Sequence, residues 1–104
     1  MDMAQINELI NFINTYKFNV VKGGGYEIQA VDNFLEKIID SIQNCQGNNF
    51  PITINLSDFD NMVITKKKLF ANSTNYSAEE VNQLFKEINQ NFGNIVQINT
   101  LFFR

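Results

Sequence analysis

Histidine is absent from the chain, and cysteine occurs once, as Cys45. No disulfide can close within one chain, and a Cys/His metal site would lack ligands. The missing histidine also removes the commonest general base. No serine or cysteine stands beside a recognisable substitute, so no catalytic residues are expected. Cys45 is expected to act as a small, buried or half-buried apolar residue on a helix. Basic residues are sparse too. Eight Lys and Arg stand against eleven Asp and Glu, a formal charge of −3. Nucleic-acid binding in general needs a basic face, so that class is set aside. No apolar run approaches the ~18 residues that span a bilayer. The opening MDMAQINE lacks a basic stretch followed by an apolar one, so no secretory signal is read. The expectation is a cytoplasmic, non-enzymatic protein with no cofactor and no metal.

What is present is apolar patterning. With 104 residues, 44% of them hydrophobic, the chain makes one small domain, 1–104, with a modest core. Residues 2–16 read as a helix. Asp2 stands at the cap with Gln5 three residues on, and Ile6, Leu9, Ile10 and Ile13 lie on one face. Phe12 and Tyr16 widen that face. Phe18–Val21 is short and β-favouring, hence extended, and Gly23, Gly24 and Gly25 then break regular structure.

The next helix, from about Ile28 to Asn44, is the best-patterned element. Ile28, Val31, Leu35, Ile38, Ile42 and Cys45 step by 3, 4, 3, 4, 3, the seam of a coiled coil, with Phe34 and Ile39 beside it. Gly47 is expected to end it. After the connector Asn48–Pro51, Ile52, Ile54 and Leu56 alternate with polar residues as a half-buried strand does. Ser57-Asp58 resembles a cap, and Phe59 with Met62–Ile64 forms one helical turn or irregular chain. Lys66, Lys67, Lys68, Leu69 and Phe70 precede a polar loop, Ala71–Asn75. Ser77 and Glu80 form an S-x-x-E capping box that opens a third helix. Its seam, Ala78, Val81, Phe85, Ile88, Phe92 and Ile95, repeats the same steps, although Gly93 is expected to stop the helix before Ile95. The tail 94–104 is β-like. It is expected to pair with the strand at 52–56 as a small sheet over the helices.

The two seams are offset by 50 at every position. Tyr26, Val31, Asp32, Phe34, Leu35 and Ile38 fall on Tyr76, Val81, Asn82, Leu84, Phe85 and Ile88. Any two amphipathic helices share a heptad. A shared tyrosine before the helix, with a shared Asp or Asn after the valine, points to duplication. Copy one covers about 6–46 and copy two about 52–93.

Written this way, the unit resembles the N-terminal module of the DivIVA family of bacterial cell-division and polarity proteins. Copy one supplies Phe18, Gly25-Tyr26-Glu27 and Val31-Asp32-Asn33-Phe34-Leu35. Copy two supplies Phe59, Asn75-Tyr76-Ser77 and Val81-Asn82-Gln83-Leu84-Phe85, departing with Asn75 in place of glycine and no Asp after Tyr76. The resemblance implies a cytoplasmic scaffold or adaptor that pairs helices in parallel. It also implies contact with membrane or partner protein through the loop before the long helix. Family members continue into a long coiled coil, whereas each helix here runs for only about four turns, marginal for an independent two-stranded coil. The expected fold is therefore α+β and mostly helical. The two copies pair within one monomer as a pseudo-dimer, with a homodimer as the alternative.

Candidate contact residues follow. The resemblance places membrane or partner contact at Val20, Val21 and Lys22 in copy one and at Lys66, Lys67, Lys68, Leu69 and Phe70 in copy two. Lysines beside large apolar residues suit anionic headgroups, although the same residues also suit a solvated face over core side chains. Tyr26, Asp32, Glu36 and Tyr76 are candidates for a partner groove. Asp32 and Glu36, one helical turn apart, suit a basic peptide, and more simply a solvated helix face. The tyrosines also fit a simpler role, each packed on its own following helix with its hydroxyl bonded locally. Two other functions stay open: a small structural or regulatory protein of a phage or mobile element, and a small-ligand enzyme using the glycine turn. That turn has neither GxxxxGK[ST] nor GxGxxG.

Overall fold

The computed structural model of the chain describes residues 3–22, 25–45, 50–55 and 74–99. The elements run α1 (Met3–Thr15), β1 (Val20–Lys22), β2 (Tyr26–Glu27), α2 (Ile28–Asn44), β3 (Ile52–Asn55), β4 (Thr74–Tyr76), α3 (Ala78–Asn91) and β5 (Val96–Asn99). This is an α+β fold, dominated among the described residues by its helices. The expected Asp2 cap, the Gly47 stop, Leu56, and the segment with Phe59, Lys66, Lys67, Lys68, Leu69 and Phe70 lie outside the described residues.

The apolar stripes of the helices make the core. Ile6, Leu9 and Ile13 of α1 join Val31, Phe34, Leu35, Ile38 and Ile42 of α2, and Val81, Leu84, Phe85 and Ile88 of α3. Phe34 and Phe85 meet edge to face between the two helices, with ring centroids 5.4 Å apart at 73°. Such a pair contributes about 0.5–1.5 kcal/mol beyond its burial. The seam residues do not face only each other. Ile54 of β3, Ile98 of β5, Ile95 and Phe92 share the same cluster. Ile28 is half-buried, and Cys45 is half-buried one residue past the end of α2, where its N–H donates to the Ser41 carbonyl at 3.1 Å.

Two small sheets complete the fold. β3 and β5 run parallel, with Ile52 opposite Val96 and Ile54 opposite Ile98, and the Ile52 N–H donates to the Ile95 carbonyl at 2.9 Å. This is the small sheet expected between the 52–56 strand and the tail. The other sheet has the order β1-β4-β2, all antiparallel, with Val20 and Tyr26 each opposite Tyr76 on its two sides. Here the polar loop read over Ala71–Asn75 is corrected. Thr74–Tyr76 is the central strand of three, and Asn75 is buried. A three-residue strand with polar residues at its start carries no alternation to find, and its partners lie some fifty positions away. Gly25 turns the chain into β2 at φ +83°, and a Cβ there would run into the Tyr76 carbonyl oxygen. Only glycine takes that conformation and that approach without strain.

The capping box is a second correction. Ser77 does precede α3, but its side chain makes no cap hydrogen bond. The Glu80 carboxylate accepts instead from the Asn19 backbone N–H at 2.5 Å and from its side-chain amide at 2.6 Å. The Ser77 N–H donates to the Asn19 carbonyl at 3.1 Å, extending the β1–β4 ladder by one rung. Two donors arriving from another segment hold Glu80 away from its own helix start.

Candidate functional site: a cleft between the first two helices

The two tyrosines that precede the helices do not bond to the helices they precede. The Tyr26 hydroxyl donates to Asn82 Oδ1 on α3 at 3.1 Å, and the Tyr76 hydroxyl donates to Asp32 Oδ1 on α2 at 2.9 Å. The expected local bonding is replaced by a crossed pair. The cause is the sheet. β2 and β4 lie antiparallel with Tyr26 opposite Tyr76, so each strand delivers its tyrosine toward the other strand's helix.

The consequences differ. Tyr26 is buried, only 2% exposed, and burial pushes its hydroxyl pKa above the ordinary value. Tyr76 is half-buried, and its hydroxyl pKa is pushed up to about 12, first by burial and then by the Asp32 carboxylate that accepts its proton.

Tyr76 and Asp32 stand at one end of an open cleft of about 740 Å³ between α1 and α2. One wall comes from α2, where Asp32, Leu35, Glu36, Ile39 and Gln43 repeat at helical spacing along one face. The opposite wall is Ile10, Ile13 and Asn14 of α1, followed by Tyr16, Lys17 and Phe18. Ile13 and Leu35 are buried, while Asp32, Glu36 and Lys17 are exposed. The result is an apolar floor with two carboxylates at its lip. The aromatic side is tied together: ring centroids are 5.6 Å apart for Phe12 and Tyr16, 5.1 Å for Tyr16 and Phe18, and 4.7 Å for Phe18 and Tyr76. Burial raises the Tyr16 pKa, with the negative charge of Glu87 adding to it.

Three of the four expected groove residues, Asp32, Glu36 and Tyr76, therefore line one cleft. Tyr26 does not; it is buried, with its hydroxyl on Asn82 of α3. Ile10, Asn14, Lys17 and Phe18 were outside the expected groove. Nothing in their local pattern signals it, because the approach of α1 to α2 is tertiary. Val20 and Val21, read as extended or a short strand, form with Lys22 the exposed strand β1 at the sheet edge, where the resemblance implies a contact loop. A second open cleft, about 720 Å³, lies by the C-terminal half of α2, with Lys37, Asp40, Cys45 and Thr53 among its lining.

Among the described residues, no three His, Cys, Asp or Glu side chains group as a metal site would require. No described helix is long and apolar enough to cross a membrane. No protein-family model, curated protein or solved structure matches the chain.

Proposed function

We propose that this chain is a non-enzymatic protein-interaction module of the DivIVA N-terminal type, with two like units paired inside one chain. It serves as a cytoplasmic adaptor in bacterial division or envelope growth. The observation that carries the reading is the crossed tyrosine pair. Under the offset of 50, Tyr26 corresponds to Tyr76 and Asp32 to Asn82. The contact from Tyr26 to Asn82 is thus the counterpart of the contact from Tyr76 to Asp32. The register of β2 on β4, with Tyr26 opposite Tyr76, has the same two-fold character. A pseudo-dimer of duplicated units accounts for both at once. Helices too short to make a stable coil between chains are held together inside one chain by a shared core.

The cleft between α1 and α2 receives the partner, an amphipathic segment whose apolar face meets Ile13, Leu35 and Ile39 and whose cation meets Asp32 and Glu36. The exposed edge at Val20, Val21 and Lys22 is the described part of the surface available to anionic membrane. The test is titration of the chain with basic cytoplasmic segments of division and envelope-growth proteins, read by fluorescence anisotropy, alongside co-sedimentation with anionic vesicles. Saturable peptide binding, reduced by Asp32→Asn and Glu36→Gln, is expected. Failure of every segment would remove the adaptor reading. Light scattering on dilute protein tests the pairing, and an obligate dimer with no monomer would remove the internal pseudo-dimer.

A further inference from the structure

The two units are alike in sequence register but not in the face they offer. Asp32, Glu36 and Ile39 make the working wall of the cleft, and the offset of 50 places Asn82, Lys86 and Asn89 at the same positions on α3. One carboxylate has become an amide that is already engaged by Tyr26. The other has become an exposed lysine. The apolar Ile39 has become Asn89, which seats the chain's own strand β5. Its Nδ2 donates to the Ile98 carbonyl at 3.0 Å, and its Oδ1 accepts from the Ile98 N–H at 2.8 Å.

We infer that, of the two corresponding helix faces, only the one on α2 is a docking groove, and that Glu36 is the residue that makes it selective for a basic partner. The corresponding face of α3 is occupied by β5 at Asn89 and carries the opposite charge at the exposed Lys86. Two chemical facts separate the faces. A cation meets Asp32 and Glu36 on α2, with Lys17 on the opposite wall of the cleft, whereas on α3 it meets Lys86. An incoming apolar side chain meets Ile39 on one face, and on the other an amide already saturated by backbone. An extended segment of this chain already lies against α3, which is how a duplicated pair comes to bind asymmetrically. This rests on the proposed docking cleft and on the pairing of like units.

The experiment is calorimetric and anisotropy titration of the full chain with a synthetic amphipathic helical peptide carrying a leucine stripe and a pair of arginines one turn apart. One equivalent of peptide per chain is expected. Glu36→Lys is expected to weaken binding roughly tenfold or more, as like charges meet. Lys86→Glu is expected to change neither stoichiometry nor affinity beyond about twofold, since Lys86 lies outside the cleft. Both positions are exposed, so both variants should fold, which circular dichroism checks. Two equivalents per chain would overturn the inference while leaving the cleft standing. So would a Glu36→Lys chain that binds as tightly as the parent. No binding at either readout would overturn the cleft itself, and the inference with it.

Discussion

Tyr26 and Tyr76 occupy equivalent places before their helices, cross to each other's helix, and end in different environments. Tyr26 is enclosed and donates to a neutral amide, Asn82. Tyr76 stands at the cleft and donates to a carboxylate, Asp32. One geometry therefore occurs in two settings. The enclosed contact joins β2 to α3. The half-buried contact joins β4 to α2 at the cleft, where burial first and the Asp32 carboxylate second push the Tyr76 hydroxyl pKa up to about 12. Strand pairing decides where such a pair goes, and burial and the acceptor's charge set the surroundings of each member.

The most severe way to break the comparison is to remove what lies between the units. Phe34→Ala deletes a fully buried ring from its edge-to-face contact with Phe85 and should cost about 3–5 kcal/mol in a denaturant melt. Gly25→Ala strikes the register that crosses the tyrosines. A positive φ of 83° and the nearby Tyr76 carbonyl oppose any Cβ, and a loss of about 2 kcal/mol or more is expected in the same assay. Tyr26→Phe should cost about 1 kcal/mol, from the lost hydrogen bond at an enclosed site. Tyr76→Phe should cost less than about 1 kcal/mol at neutral pH, because its surroundings are partly solvated. The reverse order of the two tyrosine variants would show that the enclosed contact is not the structural one.

The smallest effect is also the most specific. The folded state favours the neutral form of Tyr76, so the stability it contributes is full below the unfolded value of about 10 and is lost as pH rises through about 12. A spectroscopic titration should find one tyrosine ionising near 12. Asp32→Asn should lower that value but leave it above the ordinary one, since burial is the larger cause and the carboxylate the lesser. An unchanged titration in Asp32→Asn would sever Tyr76 from Asp32 in solution.

The helices were legible because period and length agreed. α2 runs from Ile28 to Asn44, as its stripe predicts, and β3 and β5 fall within the two stretches read as strand. The strand β4 was not legible, since Thr74-Asn75-Tyr76 looks like a loop until a partner is supplied from each side. The capping box failed for a related reason. Ser77 and Glu80 satisfy the local pattern, yet Asn19, brought in by β1, outcompetes the helix end for the carboxylate. Within the candidate site, Asp32 and Glu36 were readable from their spacing, whereas the choice of Tyr76 over Tyr26 followed from strand pairing alone.

By itself the sequence determined the amphipathic helices, the glycine turn and the offset between the two apolar stripes, because periodicity and backbone freedom are local properties. Tertiary structure decided which tyrosine reaches which helix, that α1 and α2 leave a cleft, and that β5 settles on α3 through Asn89. Those outcomes depend on pairings between residues far apart in the chain, where the deciding energies are burial and hydrogen bonds that no single segment possesses alone.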